Sequence, residues 1–159
     1  MNGLLEIFYE DHEHALSQLN GLEKQLQFIQ QGGEIEKAKI HLISFSRFLE
    51  IALDIHFVQE EEALFPLLVQ KMGPNGPVAV MEHEHEDLRA AQMKLKEELS
   101  KDEINEEIVL HHGSLILNVL RDHIMKENQV LFPLSQQVLS DEDWEKAEKI
   151  AGKIALGQK

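Results

Sequence analysis

Two segments of the chain share a histidine, a glutamate four residues later and a Leu-Phe-Pro-Leu tail. They read HFVQEEEALFPL over 56–67 and HIMKENQVLFPL over 123–134. Side chains at positions i and i+4 of an α-helix lie on one face, so each segment presents an imidazole nitrogen beside a carboxylate oxygen. Such nitrogen and oxygen ligands suit iron, manganese or zinc better than magnesium or calcium. The repeat therefore predicts a metal site to which two helices contribute equivalently.

The composition narrows the chemistry further. The 159 residues include 29 acidic and 15 basic side chains, a formal charge of −14, nine histidines and no cysteine. Net negative charge disfavours binding to nucleic acid and to anionic membrane surfaces. Because these residues include no thiol, thiolate zinc sites, iron–sulfur clusters and cysteine nucleophiles are excluded within them. Any metal must be held by nitrogen and oxygen atoms.

Targeting signals are not evident in the sequence. No apolar run approaches the roughly 18 residues that a membrane span requires. The first residues, MNGLLEIFYEDHEH, lack the basic stretch and apolar core of a secretory signal. We therefore expect no membrane association and a cytoplasmic protein.

Helical periodicity extends over nearly the whole chain, because apolar residues recur at spacings of three and four. It breaks at 31–34, 73–77 and 100–105, where glycine, proline and polar residues cluster. We predict an all-α fold with one domain over 1–159. Short connections between long helices favour an up-down-up-down four-helix bundle followed by a short fifth helix. The predicted helices are 2–30, 35–72, 77–99 and 103–138, which form the bundle over 2–138, and about 141–156.

Several residues mark where these helices begin or bend. Pro77 suits the first turn of the third helix, and Ser140 with Asp143 predicts a capping box for the fifth. Pro66 and Pro133 lie within continuing helical patterns, so we expect a kink or an early helix end at each. Trp144 is expected to pack the fifth helix against the bundle.

A helical wheel at 100° per residue divides the histidines into two groups. The inward-facing polar residues are predicted to be His12, His56, Glu60, His85, His123 and Glu127. They share apolar stripes that include Leu67 on the second helix and Val130 and Leu134 on the fourth. The side chains predicted to face solvent are His14, Glu61, Glu62, His83 and His111. His41 and His112 are expected to have structural roles.

The inward-facing histidines also agree in level along the bundle axis. His12 and His85 come early in their helices, whereas His56 and His123 come late in theirs. In antiparallel neighbours these levels coincide, so six polar side chains converge at one end. Burying them is costly unless something compensates them, and a pair of metal ions would do so. A metal-free network of buried His–Glu hydrogen bonds is the alternative.

Four motifs resemble those of hemerythrin-like proteins of the HHE cation-binding class, over about the first 138 residues. The motifs are EDHEHALSQL, HFVQEEEALFP, GPVAVMEHEHEDLR and LRDHIMKENQVLFP. The resemblance implies a non-haem di-iron centre bridged by two carboxylates and a solvent-derived oxygen, which interacts with dioxygen, nitric oxide or peroxide. It places His12 and His56 on one iron and His85 and His123 on the other, with Glu60 and Glu127 as bridges. Zinc and manganese also fit these ligands.

The sequence departs from the oxygen-carrying hemerythrins at two positions. Met81 stands where they have a second third-helix histidine, one turn before His85. Glu127 stands four residues after its histidine, where they have an aspartate five residues after. One imidazole fewer leaves more open coordination positions, which favours ligand binding or redox turnover over reversible oxygen carriage. Related proteins linked to repair of iron–sulfur centres carry a cysteine-bearing N-terminal segment, so the absence of cysteine weakens that role here.

Three functional hypotheses follow. The leading one is a di-iron protein that binds or senses dioxygen, nitric oxide or iron itself. The second is a redox enzyme that uses the same centre on peroxide, oxygen or nitric oxide. Binding is favoured over catalysis because the sequence offers no separate substrate pocket or general base. The third is a helical interaction module without metal.

Overall fold

The computed structural model describes residues 2–157, and within them the chain is helical throughout, with short connections and no strand. The prediction of an all-α fold is confirmed. Four of the predicted helix ranges agree with the structure to within one residue, and the fourth helix begins three residues later than predicted. The helices are α1 (Gly3–Gln30), α2 (35–72), α3 (Pro77–Leu99), α4 (106–138) and α5 (Asp141–Ala155).

Side chains cap the helix ends that the sequence marks. The Asn105 side chain accepts hydrogen bonds from the backbone N–H groups of the first turn of α4, which explains its later start. Pro77 occupies the first turn of α3. Ser140 and Asp143 form the predicted capping box at the start of α5, with reciprocal bonds of 3.2 and 3.0 Å. These local predictions are confirmed.

Both long repeat-bearing helices contain π-helical segments. In α2 they cover Leu49–Leu53 and Glu60–Leu64, and in α4 the segment covers Glu127–Leu131. The segments at Glu60 and Glu127 each end one residue before a Phe-Pro pair. Both helices continue past the proline, so the early ends considered for Pro66 and Pro133 do not occur. A wider turn upstream is how these helices accommodate a residue that lacks a backbone N–H.

The π-helical turns shift the inward face by one residue. Uniform α-helical spacing predicts Leu67 and Val130 inside, but Leu68 is fully buried and Val130 is 54 % exposed beside Leu131 at 1 %. Leu134 is likewise only partly buried, whereas Ser135 is buried. A π turn holds one residue more than an α turn, so every later side chain moves one position along the wheel. The predicted stripe is therefore wrong beyond the π segments at Glu60 and Glu127, whereas His56 and Glu60 lie inward as predicted beyond the segment at Leu49.

The four long helices form a ring of neighbours in which α1 and α3 each pack against α2 and α4. Their buried apolar side chains form two clusters. The larger cluster runs from Ala15 on α1 to Ile124 on α4, and the smaller includes Phe8, Met81 and Phe132. On every long helix the predicted metal ligands lie where the larger cluster gives way to the smaller one. The site is thus a polar layer enclosed by apolar layers on both sides.

Helix α5 covers the end of the bundle nearest this polar layer. Trp144, Ala147 and Ala151 are buried in the smaller cluster, as predicted for Trp144. The Gln59 amide donates a hydrogen bond of 3.0 Å to the Ala151 carbonyl oxygen, which ties α5 to α2 one residue before Glu60. None of the helices in residues 2–157 combines the length and apolar character needed to cross a membrane.

Candidate metal centre

All six predicted ligands lie together in the interior. Each of their side chains is at most 2 % exposed. They are His12 from α1, His56 and Glu60 from α2, His85 from α3, and His123 and Glu127 from α4. The His–Glu spacing of four places each helix's imidazole and carboxylate on one face, as the sequence predicts.

One group of ligand atoms gathers around the α1–α2 side of the layer. The Nε2 atoms of His12 and His56 lie 3.2 Å apart, and His12 Nε2 lies 3.1 Å from a Glu127 oxygen. His56 Nε2 lies 3.4 Å from a Glu60 oxygen. Two nitrogens about 2.1 Å from one metal ion are separated by about 3.0 to 3.4 Å at right-angled to tetrahedral geometry. These spacings therefore suit four atoms that share one ion.

A second group gathers on the α3–α4 side. His85 Nε2 lies 3.2 Å from the Glu60 oxygen, and His123 Nε2 lies 3.2 Å from the Glu127 oxygen. Ligand atoms of Glu60, His85 and His123 all lie within 4.8 Å of one another, as do those of His12, His56, Glu60 and Glu127. Each carboxylate thus stands between two histidines of different groups. Glu60 lies between His56 and His85, and Glu127 lies between His12 and His123.

Buried atoms of this layer lack partners, which tests whether a metal fits. Among the described residues, the atoms without a hydrogen-bond partner are both carboxylate oxygens of Glu60 and of Glu127 and the Nε2 atoms of His85 and His123. A buried polar atom left unsatisfied costs about 1 to 3 kcal/mol. A metal-free hydrogen-bond network would satisfy these atoms, and this arrangement does not. Their chemistry, imidazole nitrogen and carboxylate oxygen, fits a divalent cation.

Each histidine is oriented through its other ring nitrogen. His12 Nδ1 donates to the Asn128 amide oxygen at 2.6 Å, and His56 Nδ1 to Asp11 at 2.9 Å. Because Nδ1 carries the proton that it donates to its acceptor, the lone pair of Nε2 faces the centre, as in metal-binding histidines generally.

The same arrangement holds on the other side of the layer. His85 Nδ1 donates to Glu61 at 2.6 Å, and His123 Nδ1 donates to Glu84 at 2.9 Å. Each of the four acceptors lies on a helix next to that of its histidine. An acceptor on α1 binds the histidine of α2, one on α2 that of α3, one on α3 that of α4, and one on α4 that of α1. The four hydrogen bonds therefore form a closed ring around the bundle.

The sequence prediction for Glu61 is wrong. It places Glu61 in solvent, but the carboxylate is 26 % exposed and bonds to both His85 and Arg89. Glu62 is exposed as predicted. The helical-wheel prediction is incorrect at Glu61 because a side chain at the edge of the inward face can reach the adjacent helix.

The other acceptors were also missed, although a sequence signal exists. Each acceptor directly precedes or follows a predicted ligand in the chain. Asp11 precedes His12, Glu61 follows Glu60, Glu84 precedes His85 and Asn128 follows Glu127. A polar residue next to an inward ligand points sideways by about 100°, toward the neighbouring helix.

Aromatic rings pack against the ligand imidazoles. Phe132 stacks on His12 with centroids 5.2 Å apart, and Phe57 stacks on His85 at 3.9 Å. Phe8 meets His56 edge-on at 4.7 Å, and Phe65 lies 5.7 Å from His85. Phe65 and Phe132 belong to the repeated Leu-Phe-Pro tails, which thus form the apolar wall beside the site, as expected.

The remaining histidines lie away from the centre. His14, His41, His83 and His111 are exposed, and His112 is partly buried. Burial lowers the pKa of His112, which agrees with a packing role. Met81, at the position one turn before His85, is buried in the smaller apolar cluster. Met81 therefore offers no ligand nitrogen at the position where a second imidazole of α3 would stand.

The two central carboxylates interact strongly in the metal-free site. Burial and the neighbouring Glu127 raise the pKa of Glu60 to about 8. Burial also opposes ionisation of Glu127, but Glu60 and the charge of His123 hold the pKa of Glu127 well below its usual value. Burial and mutual repulsion therefore favour one shared proton over two ionised carboxylates in this pair. A cation must displace that proton.

The histidines on the α3–α4 side share in this coupling. Burial lowers the proton affinity of His123, yet Glu127 and Glu84 outweigh it and raise the pKa of His123 to about 10. The pKa of His85 is raised against burial by Glu60 and Glu61. The site thus stabilises positive charge at its centre, which a metal ion supplies in place of protons.

A family comparison agrees with this geometry. The model of the hemerythrin HHE cation binding domain matches residues 3–135. The chain belongs to the hemerythrin HHE cation-binding family. The matched range contains all six candidate ligands and the four acceptors around them, and membership of this cation-binding family supports metal binding.

Similar proteins include three bacterial proteins named iron-sulfur cluster repair protein YtfE. The protein from Pectobacterium atrosepticum is 36 % identical over 90 residues, covering 51 % of this chain and 40 % of the relative. The protein from Escherichia coli O157:H7 is 32 % identical over 100 residues, covering 58 % and 46 %. The protein from Edwardsiella ictaluri is 36 % identical over 91 residues, covering 51 % and 40 %. The matched segment spans less than half of each relative.

Proposed function

We propose that this chain is a non-haem di-iron protein that binds or senses a small ligand such as dioxygen, nitric oxide or peroxide, or iron itself. His12 and His56 would hold one iron, and His85 and His123 the other. Glu60 and Glu127 would bridge the two ions. This assignment follows the two groups of ligand atoms and the position of each carboxylate between them.

One observation supports the proposal most strongly. Six buried carboxylate and imidazole atoms face one another without hydrogen-bond partners among the described residues. At the same time, each of the four histidines is held through Nδ1 so that Nε2 faces the centre. Two cations would compensate these atoms, because each carboxylate lies between two histidines of different groups.

The residues around the ions determine what chemistry is available. Bound iron supplies redox activity and affinity for small diatomic molecules. Four imidazoles and two carboxylates would leave open coordination positions on bound iron, because Met81 contributes no nitrogen. Phe57, Phe65 and Phe132 exclude bulk water from the histidines. Such a site favours a small, weakly polar ligand over a large polar substrate.

A second candidate function comes from the relatives. Those proteins are named for repair of iron–sulfur clusters. Under this candidate, the di-iron centre would turn over, delivering iron or electrons to another protein. Steady-state consumption of oxygen, nitric oxide or peroxide with an added reductant tests the redox form. Multiple turnovers favour the enzyme, whereas a single stoichiometric reaction favours ligand binding.

The first test of the proposal is metal content. Protein purified and loaded anaerobically with ferrous iron should contain two irons per chain. Glu60→Ala and Glu127→Ala should each lose iron, because each removes a ligand from both ions. Elemental analysis after desalting measures the stoichiometry. Absorption before and after air or nitric oxide then detects ferric or nitrosyl charge-transfer bands, which zinc lacks.

Glu62→Ala is the matched control. Glu62 lies in the same acidic run, two residues from Glu60, but is exposed. It should retain two irons. A wild-type stoichiometry well below two would contradict the proposal, as would full iron content in both Glu60→Ala and Glu127→Ala.

A further inference from the structure

Arg89 on α3 connects to the centre through Glu61. Its Nη1 and Nη2 atoms donate to the two Glu61 oxygens at 2.7 and 3.1 Å. Its Nε donates to Asp54 at 2.9 Å. Glu61 in turn accepts from His85 Nδ1 at 2.6 Å. A guanidinium held at both ends in this planar arrangement has one available orientation, so the carboxylate it holds is fixed as well.

Arg89 is also linked to His85 through the ring of Phe57. Its guanidinium lies 5.5 Å from the centre of the Phe57 ring, and Phe57 stacks on the His85 imidazole. Phe57 and Arg89 line a cavity of about 440 Å³ between α2 and α3. Because Arg89 borders this cavity, packing does not fix it from that side. Its ion pairs with Asp54 and Glu61 must hold it in place.

The four histidines are not supported equally. The His12 acceptor is a neutral amide, and the His56 acceptor is Asp11, which is about two-fifths exposed. On the α3–α4 side both acceptors are glutamates that also form an ion pair with a basic side chain. Glu61 pairs with Arg89, and Glu84 pairs with Lys126. Among these, Glu61 alone is held by a two-pronged guanidinium contact. The two metal positions therefore differ in how firmly their ligands are oriented.

We infer that Arg89 is a positioning residue for the metal position of His85 and His123, and that it makes the two metal positions unequal in affinity. The inference rests on the proposed two-metal function. Arg89 touches no ligand atom. It holds Glu61 in place, and Glu61 keeps the Nε2 atom of His85 directed at the ion.

Two effects of removing Arg89 oppose each other, so the sign of the result is informative. Loss of a positive charge near a cation would strengthen metal binding. Loss of the planar contact would free Glu61, which is already partly exposed, to turn toward water. The His85 ring would then lose its orientation. Outer partners of metal ligands typically contribute 10- to 100-fold to affinity, so positioning outweighs the distant charge.

The test uses zinc as a diamagnetic probe in a stepwise titration against a chromophoric chelator. Wild type should show two binding steps. In Arg89→Met, one step should weaken about 10-fold while the other stays unchanged. Arg121→Met is the matched control, because Arg121 makes the same two-pronged contact with Glu23, at 2.9 and 3.1 Å, on the outer side of the bundle. It should leave both steps unchanged.

Arg89→Lys separates position from charge. Lysine keeps the charge but cannot make the planar contact. The zinc-binding step that weakens in Arg89→Met should therefore be nearly as weak in Arg89→Lys. The imidazole ¹⁵N–¹H signals of the zinc-loaded protein provide an independent measurement. In both Arg89 variants the Nδ1–H signal of His85 should move, whereas those of His12 and His56 should not.

Several outcomes would overturn the inference. One is that neither zinc-binding step weakens in Arg89→Met. The others are that Arg89→Lys binds zinc as tightly as wild type in both steps, or that both steps weaken equally in Arg89→Met. A thermal melt of each metal-free variant shows whether it folds. If wild type itself binds fewer than two ions, the proposed function fails; if it binds two and the Arg89 variants match it, only the positioning role fails.

Discussion

Glu60 and Glu127 oppose folding when no cation is bound. Two carboxylates buried side by side cannot both ionise cheaply, and each lacks a hydrogen-bond partner among the described residues. The raised pKa of Glu60 expresses this cost. At the residue scale, the same carboxylates that would bind metal lower the stability of the metal-free chain.

The substitution Glu60→Gln should stabilise the metal-free protein while reducing its metal affinity. The pKa of Glu60 rises from 4.5 when exposed to about 8 in the fold, so between these values folding takes up a proton. The free energy of unfolding of wild type therefore falls as pH rises through this window. Glutamine does not titrate, so its advantage should grow from pH 5 to pH 8, to at least about 1 kcal/mol.

Urea unfolding in chelator at several pH values measures this difference. The matched control is Glu62→Gln, which changes an exposed carboxylate and should show no comparable trend. A Glu60→Gln variant less stable than wild type at pH 8 would contradict the assignment of a buried, unsatisfied pair.

The positions of the six candidate ligands could be predicted from sequence, whereas the residues that orient them are marked only as polar neighbours of a ligand, without their partners. A ligand needs only the correct face and level of its own helix, and i, i+4 spacing determines both. Glu61 and Asn128 lie at the edge of that face. Their roles depend on which helix lies beside them and at what height, which the periodicity of one helix does not contain.

At the scale of elements, the π-helical turns explain where the wheel fails. The segments at Glu60 and Glu127 begin with the bridging candidates themselves. The extra residue in each turn brings Leu64 and Leu131 inward, with the adjoining phenylalanines. π turns of this kind are frequent at functional sites. Pro66 and Pro133 mark a disturbance at these turns but not its form, so the sequence predicted the length of α2 and α4 but not their register beyond the site.

Deletion of Gln129 should destabilise the protein strongly. Gln129 is exposed within the Glu127–Leu131 turn, so its side chain contributes little. Removing one residue would return the turn to α-helical spacing and rotate the segment after it by about 100°. Phe132 would leave the core, at a cost of at least about 3 kcal/mol. Chemical denaturation measures the loss.

Gln129→Ala keeps the spacing and should change stability by less than about 0.5 kcal/mol. A similar loss in both variants would mean that the Gln129 side chain, and not the spacing, matters.

At the scale of the molecule, the polar layer divides the apolar core into two parts. Cations bound there would connect residues from all four long helices and complete the interior between the clusters. The net charge of −14 also raises the local concentration of cations around the fold. The four-helix bundle could be predicted from the sequence because long periodic helices with short connections can pack in few ways.

Ferrous iron should therefore raise the melting temperature. Each ion that binds only the folded state adds about 4 kcal/mol at a free concentration 1,000 times its dissociation constant. For a domain of this size, that corresponds to a shift of about 10 °C. Anaerobic thermal melts with and without iron measure it, with magnesium as the control. No shift with iron would favour the metal-free helical module.

The ring of four histidine hydrogen bonds has a further consequence, for the handedness of the bundle. On α1 and α3 the acceptor precedes a ligand, whereas on α2 and α4 it follows one. Because these pairs of helices run in opposite directions, all four acceptors point the same way around the axis when viewed from one end. In a bundle of the opposite hand, each acceptor would face away from the histidine it now holds. The ring thus favours one of the two mirror-related ways of winding the same four helices.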